Sequence, residues 1–219
     1  ITGLAGGVWR MNDVANFVGN SQWPKAPENI DNSLRFNSGS NDTLKKTFNA
    51  SNRDTITLSA WVKRCKFGTS GDLLKAGTSN GTNNDNISYV AFDTSDRLRV
   101  EGEVSGSAIF KLRTTRKFRD PSAWYHICVA IDSTQATASN RIKVYVNGVQ
   151  ETVFDNEDYM SQNTDTFFNS AEVHSIGGAN TSGNFDGYMT EVIFVDGQQL
   201  LPTSFGVFNT VSNIWEPRG

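Results

Sequence analysis

Glu101 and Glu103 are separated by a single glycine. On a strand, residues two apart share a face, so these carboxyl groups stand side by side. Retaining glycoside cleavage uses such a pair, one nucleophile and one acid, about 5–5.5 Å apart. A common single-strand arrangement is Glu-x-Asp-x-x-Glu, and the chain lacks that spacing. With no third carboxylate in support, the simpler reading is a solvent-facing acidic pair beside Arg97 and Arg99. No other catalytic set stands out. His126 lies in Trp124-Tyr-His126 and reads as a structural hydrogen-bonding residue; His174 is the other histidine. A zinc site would need further His or Cys ligands at suitable spacing. Neither a Gly-x-Ser-x-Gly elbow nor a phosphate-binding loop occurs.

The polar loops carry binding chemistry instead. Glycan contact combines amide or carboxylate hydrogen bonds with an apolar or aromatic platform. Loops 78–86, 155–166 and 179–186 supply both. Asn84, Asp85, Asn86, Asn180, Asn184 and Asp186 are the polar candidates, and Tyr159 and Phe185 the platforms. The competing reading of Phe185 is that it begins a strand and is buried. The oxygen-rich run from Thr78 to Asn86 also suits a hard cation such as calcium. A plain polar turn is the alternative.

These loops must be carried by strands. Tyr125, Ile127, Val129 and Ile131 alternate with Trp124, His126, Cys128 and Ala130, the period of a half-buried strand. Ile142, Val144 and Val146 repeat it, and Asn147-Gly148 then supplies a type I′ turn into a return strand over 149–154. Ile56, Leu58, Ala60 and Val62 alternate with Thr57, Ser59, Trp61 and Lys63. Further strands are expected at 73–76, 87–93, 97–101, 108–112, 174–177 and 185–195. Turn-forming clusters separate them, which indicates a β-sandwich or barrel. Trp61 and Trp124 fall on faces opposite the core. Cys65 and Cys128 do too, so a bridge between them is conceivable if their strands are neighbours.

A chain of 219 residues with 37% hydrophobic residues can form one sizeable core. No stretch approaches the roughly 20 apolar residues of a membrane span. A net charge of −3 argues against nucleic acid as partner. The densest basic run, Lys111 to Arg119, reads as a solvated strand and loop. Residues 1–32 differ from the rest and read as an N-terminal arm, with Trp23-Pro24-Lys25-Ala26-Pro27 as extended linker. Both ends look like cut ends of a longer chain. The divisions are arm 1–32, domain 33–208 and tail 209–219.

Ser33-Leu-Arg-Phe36, Leu58-Ser-Ala-Trp-Val-Lys63, Trp124-Tyr-His126, Val144-Tyr-Val-Asn-Gly148, Ile176-Gly177 and Phe185 to Gly197 occur in order. This ordered set resembles the concanavalin A-like lectin/glucanase superfamily, in its laminin-G and pentraxin-like branch. Gly7-Val-Trp9, Trp23-Pro24, Gln135 to Asn140, Phe185 to Leu200 and Phe205-Gly206 are similar to the version in bacteriophage tail-fibre and structural proteins. The resemblance implies an all-β, two-sheet antiparallel jelly roll. It implies a ligand surface on loops or on one sheet, often for glycans. Asp85-Asn86 resembles the pair that binds calcium in pentraxins. The partner loop, Gly178 to Asp186, is shorter and has one acid, so the implied site is a single ion held by Asp85, Asn86, Asn180 and Asp186. The expectation is a non-enzymatic, lectin-like adhesion module on a virion, or otherwise extracellular. Its partners would be host surface glycan or polysaccharide, other virion proteins and further copies of itself, without nucleic acid or membrane insertion. The alternatives are a purely structural virion module and a divergent glycoside hydrolase.

Overall fold

The computed structural model describes residues 32–78, 85–178 and 183–218. Period-two patterning becomes strands wherever it was strong. In chain order these are β1 (Leu34–Phe36), β2 (Leu44–Thr47), β3 (Thr55–Arg64), β4 (Gly71–Thr78), β5 (Asn86–Phe92), β6 (Arg97–Val104), β7 (Ser107–Lys117) and β8 (Tyr125–Asp132). They continue with β9 (Ile142–Val146), β10 (Val149–Gln150), β11 (Phe154–Asp158), β12 (Val173–Ile176), β13 (Gly187–Asp196), β14 (Gly206–Phe208) and β15 (Trp215–Pro217). One sheet has the order β1-β13-β3-β8-β9-β10, and the facing sheet the order β11-β7-β6-β5-β4-β12-β2. Neighbours in both pair antiparallel. This is the two-sheet jelly-roll sandwich expected from the sequence.

The core lies between the sheets. Ile56, Leu58, Ala60 and Val62 of β3 and Ile127, Val129 and Ile131 of β8 belong to one buried cluster with Leu74, Val90, Phe92, Val100, Phe110 and Leu112 of the second sheet. A charged pair closes one end. Arg64, only 2% exposed, bonds Asp96 at 3.1 Å and the Phe118 carbonyl at 2.7 Å. Its guanidinium also lies 4.4 Å from the centre of the Phe92 ring. At the open edge, beside β2, a cavity of about 240 Å³ is lined by Leu44, Phe48, Ile176, Val192, Phe194 and His174.

The Asn147-Gly148 turn forms as expected, with φ of 49° and 77°, and β10 returns along β9. The return strand stops at Gln150, however. The chain then crosses to the other sheet, where β11 pairs with β7. Gly148 has a second role, because a side chain there would strike the Trp215 ring. That ring belongs to a C-terminal hairpin, β14-β15, lying over the outer face of the first sheet. The Trp215 indole N–H donates to His126 Nδ1 at 3.0 Å, which leaves His126 Nε2–H to donate to Ser59 at 2.8 Å. His126 is thus structural, and Trp61 packs against it with ring centres 5.0 Å apart. The boundary expected at residue 208 falls between the two strands of this hairpin. The 1–32 arm lies outside the described residues, apart from Asn32.

Both cysteines are free, Cys65 exposed and Cys128 buried. Cys128 pairs with Ser59 across β3 and β8. Cys65 lies six positions along from Ser59, about 20 Å at strand rise. The strands are neighbours, but the register excludes a bridge.

Candidate functional site

The outer face of the seven-stranded sheet carries charge where an ordinary sheet face would be mixed polar. The alternation that sends Val90, Val100 and Leu112 into the core sends Tyr89, Glu101 and Lys111 outward, directly opposite one another on β5, β6 and β7. The Tyr89 hydroxyl donates to Glu101 at 2.7 Å and lies 3.3 Å from Glu103. Lys111 Nζ donates to the other Glu101 oxygen at 2.9 Å, and Arg99 lies 3.4 Å from Glu101. Arg99 also covers the Tyr89 ring, 4.8 Å from its centre. Gly102, between the two glutamates, sits on the inner face opposite Phe110, whose ring leaves no room for a side chain. The Glu-Gly-Glu spacing therefore arises from packing.

Burial pushes the Tyr89 phenol well above its ordinary range, and the neighbouring carboxylates add to this, so it stays a donor. Burial raises the Glu103 carboxyl, and the Glu101 charge raises it further. One hydroxyl has one proton, already given to Glu101. The Glu103 contact becomes a full hydrogen bond only when Glu103 is itself protonated.

A second row runs beside the first. Asp72, Ala91, Arg99, Arg113 and Asn156 are successive partners across β4, β5, β6, β7 and β11. Arg113 pairs with Asp155, and Arg97 bonds the same carboxylate at 2.8 Å and Asp93 at 3.2 Å. Burial pushes the Asp72 carboxyl up to about 6, with Lys75 and Arg99 opposing it. Three polar atoms of this row are buried without a partner: Arg99 Nε, Arg113 Nε and Asn156 Oδ1. Sequence reasoning missed them. The available signal was charge at every second position, Arg97-x-Arg99-x-Glu101 on β6 and Lys111-x-Arg113 on β7, inside strands whose other face is apolar.

Residues 33–198 match the family described as the concanavalin A-like lectin/glucanases superfamily. The chain belongs to that superfamily. No curated protein matches it. Among solved structures it is similar to domain 4 of AbnA, a GH43 extracellular arabinanase from Geobacillus stearothermophilus, in complex with arabinotriose. The TM-score is 0.56 at 17% identity, over 80% of this chain and 75% of that one. Domains LG4-5 of the mouse laminin alpha1 chain give 0.53 at 14% identity, over 80% of this chain and 44% of that one. Tailspike protein 2 of the Escherichia coli O157:H7 bacteriophage CAB120 gives 0.49 at 12% identity, over 76% and 23%. At these identities the likeness is one of fold.

Within this concanavalin A-like sandwich the loop candidates separate into two groups. Asn86 pairs with Thr78 at the far end of β4, and its Oδ1 accepts from Ser105 N–H at 3.0 Å. Asp85 adjoins it, its carbonyl accepting from Gly106 N–H. Tyr159 follows β11 towards that same end and donates to Glu157 at 3.0 Å; burial, then Glu157, push its phenol up to about 12. Asn184, Phe185 and Asp186 lie at the opposite end. Gly183 accepts from Asp72 N–H at the start of β4, six residues or about 20 Å away. This corrects the single-ion expectation: Asp85 and Asn86 cannot share a calcium ion with Asp186. Asn84 and Asn180 lie outside the described residues. Among the described residues no three His, Cys, Asp or Glu side chains could hold a metal together.

The Asp186 carboxylate is also in structural use. It pairs with Arg35 at 2.8 Å and accepts from the Ser38 hydroxyl at 2.9 Å and backbone N–H at 3.2 Å. Burial opposes its ionisation, but these bonds win and hold it below the usual carboxylate range. Asn184 Nδ2 donates to Asn41 at 2.5 Å, while its Oδ1 is buried without a partner. Phe185 is 1% exposed and meets Phe36 edge-on at 6.3 Å. Its ring fills the core beside Gly71 and Gly187, so it offers a sugar no platform. Glu101 departs from its expected solvent-facing position too, being 3% exposed and fully engaged.

Proposed function

We propose that this chain is a non-catalytic carbohydrate-binding module of a phage structural protein, holding glycan on the outer face of its seven-stranded sheet. The observation that carries this is the row of partly exposed polar side chains across that face, Arg99, Lys111, Arg113 and Asp155. A sugar hydroxyl both donates and accepts, so adjacent hydroxyls answer guanidinium or ammonium N–H and carboxylate oxygen together. The arabinanase domain of similar fold, in complex with arabinotriose, is in keeping with this reading. The phage assignment rests on the sequence resemblance, and a virion or extracellular location follows from it. A single shallow site binds weakly; display in several copies raises avidity without new contacts.

The test is a screen against bacterial surface polysaccharides and a glycan array, with calcium and with chelator. Chelator-insensitive binding is expected, because among the described residues no three His, Cys, Asp or Glu side chains are grouped to hold a metal ion. Absence of binding in both conditions would remove the lectin reading.

Two observations support other readings. Glu101 and Glu103 meet at one hydroxyl, and Glu103 resists ionisation, as an acid should. However, the Tyr89 hydroxyl sits where a glycosidic oxygen would have to enter, and both Glu101 oxygens are held. Release of reducing sugar, abolished by Glu101→Gln, would restore the hydrolase. Val207, Phe208, Val211 and Ile214 on the C-terminal segment are exposed, Val211 to 81%. They favour a protein–protein contact, either self-association or a virion neighbour. Light scattering across a concentration series would detect self-association, and Val211→Asp should abolish it.

A further inference from the structure

We infer that the C-terminal hairpin tip of one copy of this chain seats in the open-edge cavity of a second copy. The glycan reading is independent of this, because neither surface includes the charged rows on the second sheet's outer face.

The tip is a built projection. Residues 209–214 join β14 to β15, and Asn209 holds them. Its side-chain oxygen accepts from the backbone N–H of Val211 at 2.9 Å and of Ser212 at 3.0 Å. Its backbone N–H donates to the Ile214 carbonyl, and its own carbonyl accepts from Asn213 N–H, both at 2.8 Å. Its side-chain amide donates to Glu216 at 3.0 Å. Turn apices are ordinarily Gly, Pro, Asn, Asp or Ser. This one presents Val211, 81% exposed, and Ile214, 60% exposed. A turn fixed by so many bonds loses little freedom on docking, so its apolar side chains are pre-organised for a partner.

The cavity calls for the same chemistry. It opens beside β2, with Leu44, Phe48 and Ile176 on one side and Val192 and Phe194 on the other. An apolar cavity of about 150 Å³ already takes benzene. The volume here is about 240 Å³, which leaves room for an aliphatic side chain. His174 also lines the wall, but both its ring nitrogens are in use. Nε2 accepts from Asn169 N–H and Nδ1–H donates to the Glu172 carbonyl, each at 3.0 Å. The ring stacks on Phe48 with centres 4.2 Å apart. A hydroxyl entering between these apolar walls would give up its water bonds without replacement, whereas Val211 or Ile214 would not.

Charge complements the fit. Lys46 is exposed and lines the cavity, its ammonium 5.8 Å from the centre of the Phe48 ring. Glu216 stands beside the tip. Neither forms an ion pair among the described residues. Opposite charges on the two surfaces favour their approach between copies. Within one chain the surfaces cannot meet. Trp215 anchors the hairpin to His126 of β8, on the outer face of the first sheet. The cavity lies between the sheets at the β13 edge, and β3 intervenes between β13 and β8. Each copy therefore gives a tip and receives one, a head-to-tail contact that closes into a ring or runs on as a filament.

Sedimentation velocity from about micromolar to about millimolar chain tests this. The wild-type chain should self-associate with rising concentration. Val211→Asp at the tip and Leu44→Asp at the cavity mouth should each weaken association about tenfold or more, by placing a charge in an apolar contact. Both positions are exposed, Leu44 to 51%, and thermal melts establish that each variant is folded. An equimolar mixture of the two variants supplies the decisive result. The Val211→Asp copy keeps its cavity and the Leu44→Asp copy keeps its tip, so the mixture should form a pair that stops at two copies. A wild-type chain monomeric throughout the series, or a mixture that stays monomeric, would overturn the inference. Weakening in only one of the two variants, or in neither, would overturn it as well, by seating the tip or the cavity against something else. Failure of the polysaccharide screen leaves this contact standing.

Discussion

Single side chains on this sandwich show how burial sets chemistry. Asp72 is held up to about 6 from an ordinary 3.8 by burial. The sign of its effect follows from linkage: between about pH 4 and 6 the folded chain keeps a proton that the unfolded chain has lost. Stability from this group therefore falls as pH rises through that window and is level above it. Asp72→Asn should be nearly neutral at pH 4 and stabilising by about 2 kcal/mol at pH 7. Urea denaturation of both proteins at several pH values checks this, and a pH-independent difference would refute it. Asp96 behaves in the opposite way. Burial opposes its charge, but the Gly68 N–H, Arg119 and Arg64 outweigh that and hold its carboxyl below the usual range. Its contribution is present above the unfolded value and is lost as pH falls through the lower folded one. Asp96→Ala leaves Arg64 buried and unpaired and should cost about 3–5 kcal/mol in the same assay. Residue types alone could not reveal either effect. Asp72 and Asp96 look like ordinary turn acids in the sequence, and only the contacts of the folded chain distinguish them.

At the scale of elements, the β8-β9-β10 hairpin was legible because everything it needs is local. Its period of two, its Asn-Gly turn and its register all lie within one stretch of chain. The pairings of β1 with β13 and of β12 with β4 and β2 join segments about a hundred or more residues apart, and their order depends on tertiary packing. That is why loops 78–86 and 179–186 could be expected to meet: nothing in either loop states which end of β4 it adjoins. The C-terminal hairpin was hidden for a related reason. Trp215 finds its partner, His126, 89 residues back in the chain. Burial lowers the His126 imidazole to about 4. The unfolded chain thus takes up a proton from about pH 6.5 downward that the folded chain refuses until about 4, and stability is lost on acidification across that window. Nδ1 must stay unprotonated to accept from the indole. Acidification towards pH 4 should therefore loosen the hairpin, visible as a change in tryptophan fluorescence before global unfolding. Trp215→Ala should cost about 3–5 kcal/mol and abolish that early step. Fluorescence unchanged until the cooperative transition would contradict it.

For the whole molecule, the two sheets have divided roles. The outer face of the first is sealed by the chain's own C-terminal segment, through Trp215 on His126 and Phe205 on the Cys128, Ala130 and Tyr145 cluster. The outer face of the second presents rows of partly exposed charged side chains, Arg99, Lys111, Arg113 and Asp155 among them, to solvent. A ligand is therefore expected on the second sheet's face, midway between the two loop ends that the sequence favoured. Nitrogen–proton correlation spectra test this most directly, because arginine Nε–H groups give signals of their own. Titrating the labelled protein with a polysaccharide that it binds should shift Arg99 and Arg113 Nε–H, together with backbone amides around Tyr89, Glu101 and Asn156. Shifts confined to Asp85–Asn86 and Tyr159, or to Asn184–Asp186, with both arginine signals unmoved, would contradict the account.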